Sequence, residues 1–127
     1  MKKITVLGGD SRLKIAAEQL RGYGYTVNTP DFPESGDLSG CDVLLLPVPT
    51  TRDGETLFAP ECRKEIYLSD IARLVPDSTL ILSCSYMFEG KNCIDYGKND
   101  AYCLLNAVPT AEGAIALAIE KTPFTLW

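Results

Sequence analysis

Polar and charged side chains follow several apolar runs of this sequence, and side chains of these types can bind an anion and act on it chemically. The set comprises Asp10, Arg12, Thr50, Thr51, Arg52, Ser83, Ser85, Asn106, Thr110 and Glu112. Arginine can hold a carboxylate through two parallel hydrogen bonds, and hydroxyls and free helix N-terminal amides add further contacts to an anion. The collection therefore suits a small polyanionic metabolite.

The same residues also have purely structural interpretations, and the sequence leaves both open. Asp10 can cap a helix that begins at Ser11, and Thr110 with Glu112 can do the same further along the chain. Arginine side chains are often only solvated, and serines after a strand are often only turn residues.

The residues that are missing limit the other kinds of chemistry. The 127 residues include no histidine, so a Ser-His or Cys-His couple is excluded and no zinc site is suggested. Five cysteines occur without any Cys-x-x-C pair, which favours reduced thiols over a disulfide framework. Catalysis must then use carboxylates, hydroxyls, Arg, Lys or backbone groups, and we predict no metal.

Local patterns predict the elements that position these side chains. Strands are predicted at residues 3–7, 25–29, 43–46, 79–82 and 93–96, and helices at 11–21, 65–74 and 109–121, the last opened by Pro109. Residues 99–106 fit either type. Strands and helices alternate, which predicts a three-layer α/β domain with a mostly parallel sheet. Ligands of such sheets bind beyond the carboxyl ends of the strands, where most of the polar residues fall.

The glycines after the first predicted strand do not make a dinucleotide fingerprint. That motif needs three spaced glycines, whereas Gly8 and Gly9 are adjacent, and Asp10 would bring a negative charge near the phosphates. A receiver domain would need an aspartate after the third strand, where the chain reads LLLPVPTT. Nucleotide binding by this domain is therefore not predicted.

Composition excludes further classes of partner. The formal net charge is −5 and the 12 basic residues are scattered, which disfavours nucleic acid. No apolar run approaches a membrane span or the core of a signal peptide, so we expect a cytoplasmic protein without a membrane partner.

Several segments together resemble the N-terminal domain of the dipicolinate synthase A-subunit family. They are VLGGDSR at 6–12, LLLPVPTTRDG at 44–54, the turn Ser83-Cys84-Ser85, and NAVPTAEGAIALAIEKTPFTL at 106–126. The resemblance implies a flavodoxin-like, Rossmann-like domain on the substrate side of an NADP-linked oxidoreductase. The substrate-side domain would comprise residues 1–121, and NADP would be bound mainly by a following domain. Residues 122–127 would be the start of the connection between the two.

The resemblance also implies roles for particular residues. It places Arg12 on a carboxylate of a dihydrodipicolinate-type substrate. Glu112 is the candidate catalytic residue, which would either orient Asn106 or Arg12 or help to remove a proton as the dihydropyridine ring is aromatised. The resemblance adds the following positions as secondary substrate contacts: Asp10, Pro47, Thr50, Ser83, Ser85, Asn106 and Thr110. A second synthase subunit is implied as a partner, and the mother cell of a sporulating bacterium as the location.

A different interpretation of the sequence remains open. The chain could be a free-standing, non-enzymatic α/β module that binds a small carboxylate or forms an assembly interface. Its apolar tail, Phe124 to Trp127, would then form a homodimer contact.

Overall fold

A computed structural model describes residues 2–30 and 38–121, which fall in two compact units, Met1–Gly97 and Lys98–Trp127. The predicted connection at 122–127 lies outside the described residues. The strands of the first unit are β1 (Lys3–Val6), β2 (Thr26–Asn28), β3 (Val43–Leu45), β4 (Leu80–Ser83) and β5 (Cys93–Asp95), and between them lie helices α1 (Ser11–Gly22) and α2 (Leu68–Leu74).

All neighbouring strands of the sheet are parallel, in the order β2-β1-β3-β4-β5. This is the flavodoxin-like order, in which crossover helices cover both faces. The predicted α/β class with a parallel sheet is confirmed. The central place of β3 explains its continuous run of apolar residues, because a central parallel strand is covered on both sides.

The two faces of the sheet carry separate apolar clusters. On one face Ala17 of α1 packs against Ile4 and Val6 of β1. On the other face Ile71 of α2 belongs to a larger buried cluster with Leu44 of β3. Helices on opposite faces make the third layer that the alternation of elements predicts.

Gly9 is needed in the turn after β1 because the chain itself fills the space around it. Its φ is +76°, and a Cβ there would lie 3.0 Å from the Leu13 side chain and 3.1 Å from Pro47. Its N–H donates to the Phe58 carbonyl at 2.8 Å. Positive φ and close approach are the two conditions that favour glycine.

Helix α2 begins later than the predicted residue 65. Residues before it are extended instead, and the Leu57 N–H donates to the Ile66 carbonyl at 2.8 Å. Thr56 and Tyr67 form an antiparallel bridge. These pairings with the loop after β3 hold the segment out of the helix.

The second unit contains helix α3 (Asp100–Lys121), and the predicted start at Pro109 is wrong. Asn99 sets the beginning, since its Oδ1 accepts the Tyr102 N–H at 2.9 Å in the manner of an N-cap. Pro109 instead lies in the interior of the helix, where a proline lacks an N–H to donate. No helix in the described ranges is long and apolar enough to span a bilayer.

Candidate functional site

The carboxyl ends of four strands bring their following loops to one edge of the sheet. We call the loops after β1, β3, β4 and β5 the carboxyl-edge rim; they comprise residues 8–12, 46–52, 84–86 and 96–97. Parallel strands end on the same side, which is why residues distant in sequence meet there. Of the predicted site residues, Asp10, Arg12, Pro47, Thr50, Thr51, Arg52 and Ser85 lie on this rim, and Ser83 ends β4 just below it.

Asp10 and Arg12 form a paired unit at the beginning of α1. Asp10 caps the helix by accepting the Arg12 N–H at 3.1 Å, as the structural interpretation predicted. Arg12 Nε donates to Asp10 Oδ1 and Nη2 donates to Oδ2, both at 3.0 Å. The hydrogen bonds from the Arg12 side chain and backbone lower the pKa of the Asp10 carboxyl, which keeps it ionised at neutral pH.

The guanidinium of Arg12 is fixed in orientation but accessible. Its Nη2 also donates to the Val48 carbonyl at 3.1 Å, which ties α1 to the loop after β3. The Arg12 side chain nevertheless keeps 68% of its surface exposed. Asp10 occupies the Nε–Nη2 edge of the guanidinium, so an external carboxylate would approach the Nη1 side or replace Asp10.

Thr50 and Pro47 lie beneath the surface of the rim. Both are fully buried, and Thr50 Oγ1 donates to the Pro47 carbonyl at 3.1 Å. The same oxygen accepts the Cys84 N–H at 2.8 Å, while the Thr50 N–H donates to the Cys84 carbonyl at 3.1 Å. Thr50 therefore joins the loop after β3 to the turn after β4.

The two serines after β4 differ in exposure. Ser83 is fully buried and its hydroxyl donates to the Tyr86 carbonyl. Ser85 is exposed and has a φ of 59°, in the left-handed region that non-glycine residues rarely adopt. Of the two serines, Ser85 is therefore the one whose hydroxyl is accessible from outside the protein.

Asp95, at the end of β5, holds Ser85 in place. Its Oδ1 accepts the Ser85 N–H at 3.1 Å and the Gly97 N–H at 2.9 Å. A Cβ on Gly97 would lie 2.7 Å from Cys84 Sγ, so this close packing needs a glycine. Sequence reasoning missed Asp95, although an acidic residue near the end of the predicted strand at 93–96 was a usable signal.

Thr51 and Arg52 have partners within their own loop. Thr51 Oγ1 donates to Asp53 Oδ1 at 3.1 Å, and the Arg52 guanidinium lies 4.4 Å from the centre of the Phe58 ring. Both residues therefore help to shape the loop after β3.

Asn106, Thr110 and Glu112 belong to α3, in the second compact unit. Because α3 begins at Asp100, neither Thr110 nor Glu112 caps it, and the expected free amides of a helix N-terminus at residues 109–112 are interior to the helix. Asn106 and Glu112 are exposed. The structural interpretation of Thr110 and Glu112 as capping residues is therefore wrong.

A pocket of about 210 Å³ lies beside the turn after β1 and was not predicted. Lys14 of α1 and Glu61 line it and form a salt bridge, and Gly8, Gly9 and Thr29 complete much of its wall. The residues that line this pocket are far apart in the sequence, so no local pattern predicted it. Among the described residues, no three or more His, Cys, Asp or Glu side chains are grouped to hold a metal ion.

A parallel five-stranded sheet with a polar, hydrogen-bonded rim defines the class of protein: a flavodoxin-like α/β domain with its candidate ligand site at the carboxyl edge. Residues 3–96 match the family model of the N-terminal domain of the dipicolinate synthase A-subunit, and the chain belongs to that family. A search of curated protein sequences returned no match.

Two solved structures share this fold. The A chain of dipicolinate synthase from Bacillus subtilis superposes with a TM-score of 0.79 at 22% identity, over 98% of this chain and 49% of that one. The dipicolinate synthase A-subunit from Bacillus halodurans superposes with a TM-score of 0.79 at 20% identity, over 98% of this chain and 50% of that one. This chain thus spans about half the length of the solved relatives.

Proposed function

We propose that this chain is the substrate-side domain of a dipicolinate synthase A-subunit. The reaction is the NADP-dependent oxidation of a dihydrodipicolinate-type dicarboxylate to dipicolinate, in the cytoplasm of a sporulating mother cell. Family membership supports the proposal, and the observation that carries it is the exposed, oriented guanidinium of Arg12 on the carboxyl-edge rim.

The turn after β1 does not fit the pyrophosphate of NADP. A Cβ at Gly8 would meet Leu57 and a Cβ at Gly9 would meet Leu13 and Pro47, so the packing of the chain itself accounts for both glycines. The Asp10 carboxylate occupies the N-cap of α1, where a phosphate would otherwise bind. We therefore assign the nucleotide to a further domain and give Gly8 and Gly9 no part in binding it. The greater length of the solved relatives supports this assignment.

The residues of this chain have distinct roles in the proposal. Arg12 binds a substrate carboxylate through its guanidinium, and Asp10 holds that guanidinium in place. Ser85 adds a hydroxyl contact, whereas buried Thr50, Ser83 and Pro47 fix the shape of the rim. For the α3 residues the proposal rests on the family resemblance alone, which gives Asn106 and Thr110 as secondary contacts and Glu112 as acceptor of the proton that leaves as the ring becomes aromatic. The second synthase subunit is a proposed partner.

The experiment that tests this proposal is thermal unfolding of the chain in the presence of dipicolinate. A ligand that binds only the folded state raises the Tm, and at 100 times its Kd it stabilises by about 2.7 kcal/mol. We expect a shift for the natural sequence, a reduced shift for Arg12→Lys and none for Arg12→Ala. Arg63→Ala, which removes the same charge from an exposed loop position, is the matched control and should keep the shift.

Two results would contradict the assignment. One is an equal shift for Arg12→Ala and the natural sequence, which would move the carboxylate site away from Arg12. The other is the absence of any shift for the natural sequence.

A second candidate function is supported by the surface of α3. Leu104 and Leu105 are 71% and 77% exposed, and Leu117 is 59% exposed. Exposed apolar surface of this kind marks interaction sites, so the helix would form an assembly interface, including a homodimer. Sedimentation of the chain at several concentrations tests this candidate, and a monomer throughout argues against it.

A further inference from the structure

A second groove has no role in the proposed function; its lining shares Tyr86 with the rim but includes none of the residues assigned to the dicarboxylate. It lies between the loop after β3, the beginning of α2 and the loop after β4, and its volume is about 440 Å³. Its lining includes Glu55, Tyr67, Leu68, Tyr86, Phe88 and Glu89. We call it the acidic groove.

The backbone that frames the acidic groove is fixed. The Leu68 N–H donates to the Glu55 carbonyl at 2.9 Å, which ties the beginning of α2 to the loop after β3. Tyr86 and Phe88 pack edge to face, with ring centres 4.9 Å apart and an interplanar angle of 78°. The groove is therefore formed before any ligand arrives, which lowers the entropic cost of binding.

Three of the residues that line the groove are aromatic: Tyr67, Tyr86 and Phe88. Tyr67 is 46% exposed, whereas Phe88 is buried. Aromatic faces of this kind attract cations and pack well against the aliphatic part of a long side chain.

The charged residues that line the groove are acidic. Glu55 and Glu89 line it, and its described lining contains no Lys or Arg. Tyr67 donates its hydroxyl to Glu65 at 3.2 Å. That hydrogen bond, with the nearby charges of Glu65, Glu55 and Asp70, raises the pKa of Tyr67. Asp70 is itself paired with Arg73 one helical turn away, at 3.1 Å.

From this combination we propose that the acidic groove binds an arginine side chain of a partner protein. A guanidinium is planar and weakly hydrated, so it can stack on an aromatic ring while it donates to carboxylates. An anionic metabolite would be repelled by the same carboxylates, which separates this site from the dicarboxylate site at the rim. Its volume of about 440 Å³ is large enough to receive a side chain presented from a second surface.

The test is an NMR titration of the ¹⁵N-labelled chain with the peptide acetyl-Gly-Arg-Gly-amide. We expect saturable shifts of the amide signals of Gly54, Ser69 and Glu89, at millimolar concentrations suited to a single side chain. Raising the salt concentration to about 0.5 M should weaken the binding, since it shortens the screening length. The matched peptide with citrulline, which has the same shape without the charge, should give no saturable shift at these positions.

Variants locate the effect in the groove. Glu55→Gln combined with Glu89→Gln removes two charges with little change of shape, and we expect at least about tenfold weaker binding. Glu18→Gln combined with Glu120→Gln makes the same change of charge on exposed helix surfaces and should bind as the natural sequence does. Thermal unfolding of both double variants verifies that each is folded.

Three outcomes would overturn the proposal. They are equal binding of the citrulline peptide, undiminished binding to the Glu55 and Glu89 double variant, and an absence of shifts up to about 20 mM peptide. Tighter binding of a small diamine such as putrescine would also overturn it, by assigning the groove to a metabolite. None of these results depends on Arg12 or on dipicolinate.

Discussion

Thr50 joins two loops of the carboxyl-edge rim through one buried hydroxyl. In Thr50→Val the shape is nearly kept, but the Cys84 N–H loses its acceptor and the Pro47 carbonyl loses its donor. An unsatisfied buried group costs about 1–3 kcal/mol, so we expect that loss in the free energy of unfolding. Urea denaturation measures it.

Thr50→Ser is the control for that prediction, because it keeps the hydroxyl and removes only a methyl group. It should lose less stability than Thr50→Val. Equal stability of the valine variant and the natural sequence would show that these hydrogen bonds do not support the rim.

Asp53 organises the loop after β3 through both carboxylate oxygens. Oδ1 accepts the backbone N–H groups of Glu55 and Thr56 at 2.8 and 2.7 Å, and Oδ2 accepts the Thr56 hydroxyl at 2.6 Å. The Thr56 side-chain bond, followed by the backbone bonds, lowers the pKa of Asp53 far below its usual value. The ionised carboxylate is therefore favoured by folding.

This lowered pKa predicts a direction for the pH dependence. The stabilisation from Asp53 is fully present above the unfolded pKa of about 3.9, and it is lost as the pH falls through the lower folded pKa. Asp53→Asn should therefore be less stable than the natural sequence at pH 7. The difference should shrink as the pH falls below about 4, as measured by denaturant unfolding at several pH values. A difference that is constant with pH would contradict the role of the charge.

At the scale of elements, α3 continues through a proline. Pro109 cannot donate to the carbonyl four residues earlier, and its ring crowds that carbonyl, which costs up to about 3 kcal/mol in a helix interior. We expect Pro109→Ala to increase the helical circular dichroism signal at 222 nm and to raise the urea concentration at which that signal is lost. Pro60→Ala, in an exposed loop, should leave the helical signal unchanged. A decrease with Pro109→Ala would contradict a continuous helix.

At the scale of the whole molecule, the two faces of the sheet are unequally covered. Leu44 faces α2 and is fully buried, whereas Leu82 lies on the α1 face and is only half-buried. We expect Leu44→Ala to lose about 2–5 kcal/mol in the free energy of unfolding, in the range for fully buried leucines. Leu82→Ala should lose clearly less, and denaturant unfolding of both variants compares them. Equal losses would show that both faces are buried alike.

The sequence by itself determined the alternation of elements and the central, doubly covered strand. Apolar runs such as 43–46 and the helical spacing after Ser11 are local signals, and burial in a parallel sheet follows directly from them. It also predicted a candidate site at the carboxyl edge, and its motifs led to the family that the comparisons confirm.

Only the tertiary structure decided which polar residues are exposed and what they contact. Threonine and serine hydroxyls can contact a ligand, but those of Thr50 and Ser83 are buried and form hydrogen bonds within the protein. Ser85 and Arg12 are exposed instead. The roles of Asp95 and Gly97 depend on contacts with the turn after β4, and the beginning of α3 depends on Asn99 rather than on Pro109. Residue type and spacing determine local secondary structure over a few residues. Burial and hydrogen-bond partners depend on distant segments that meet only when the sheet is formed.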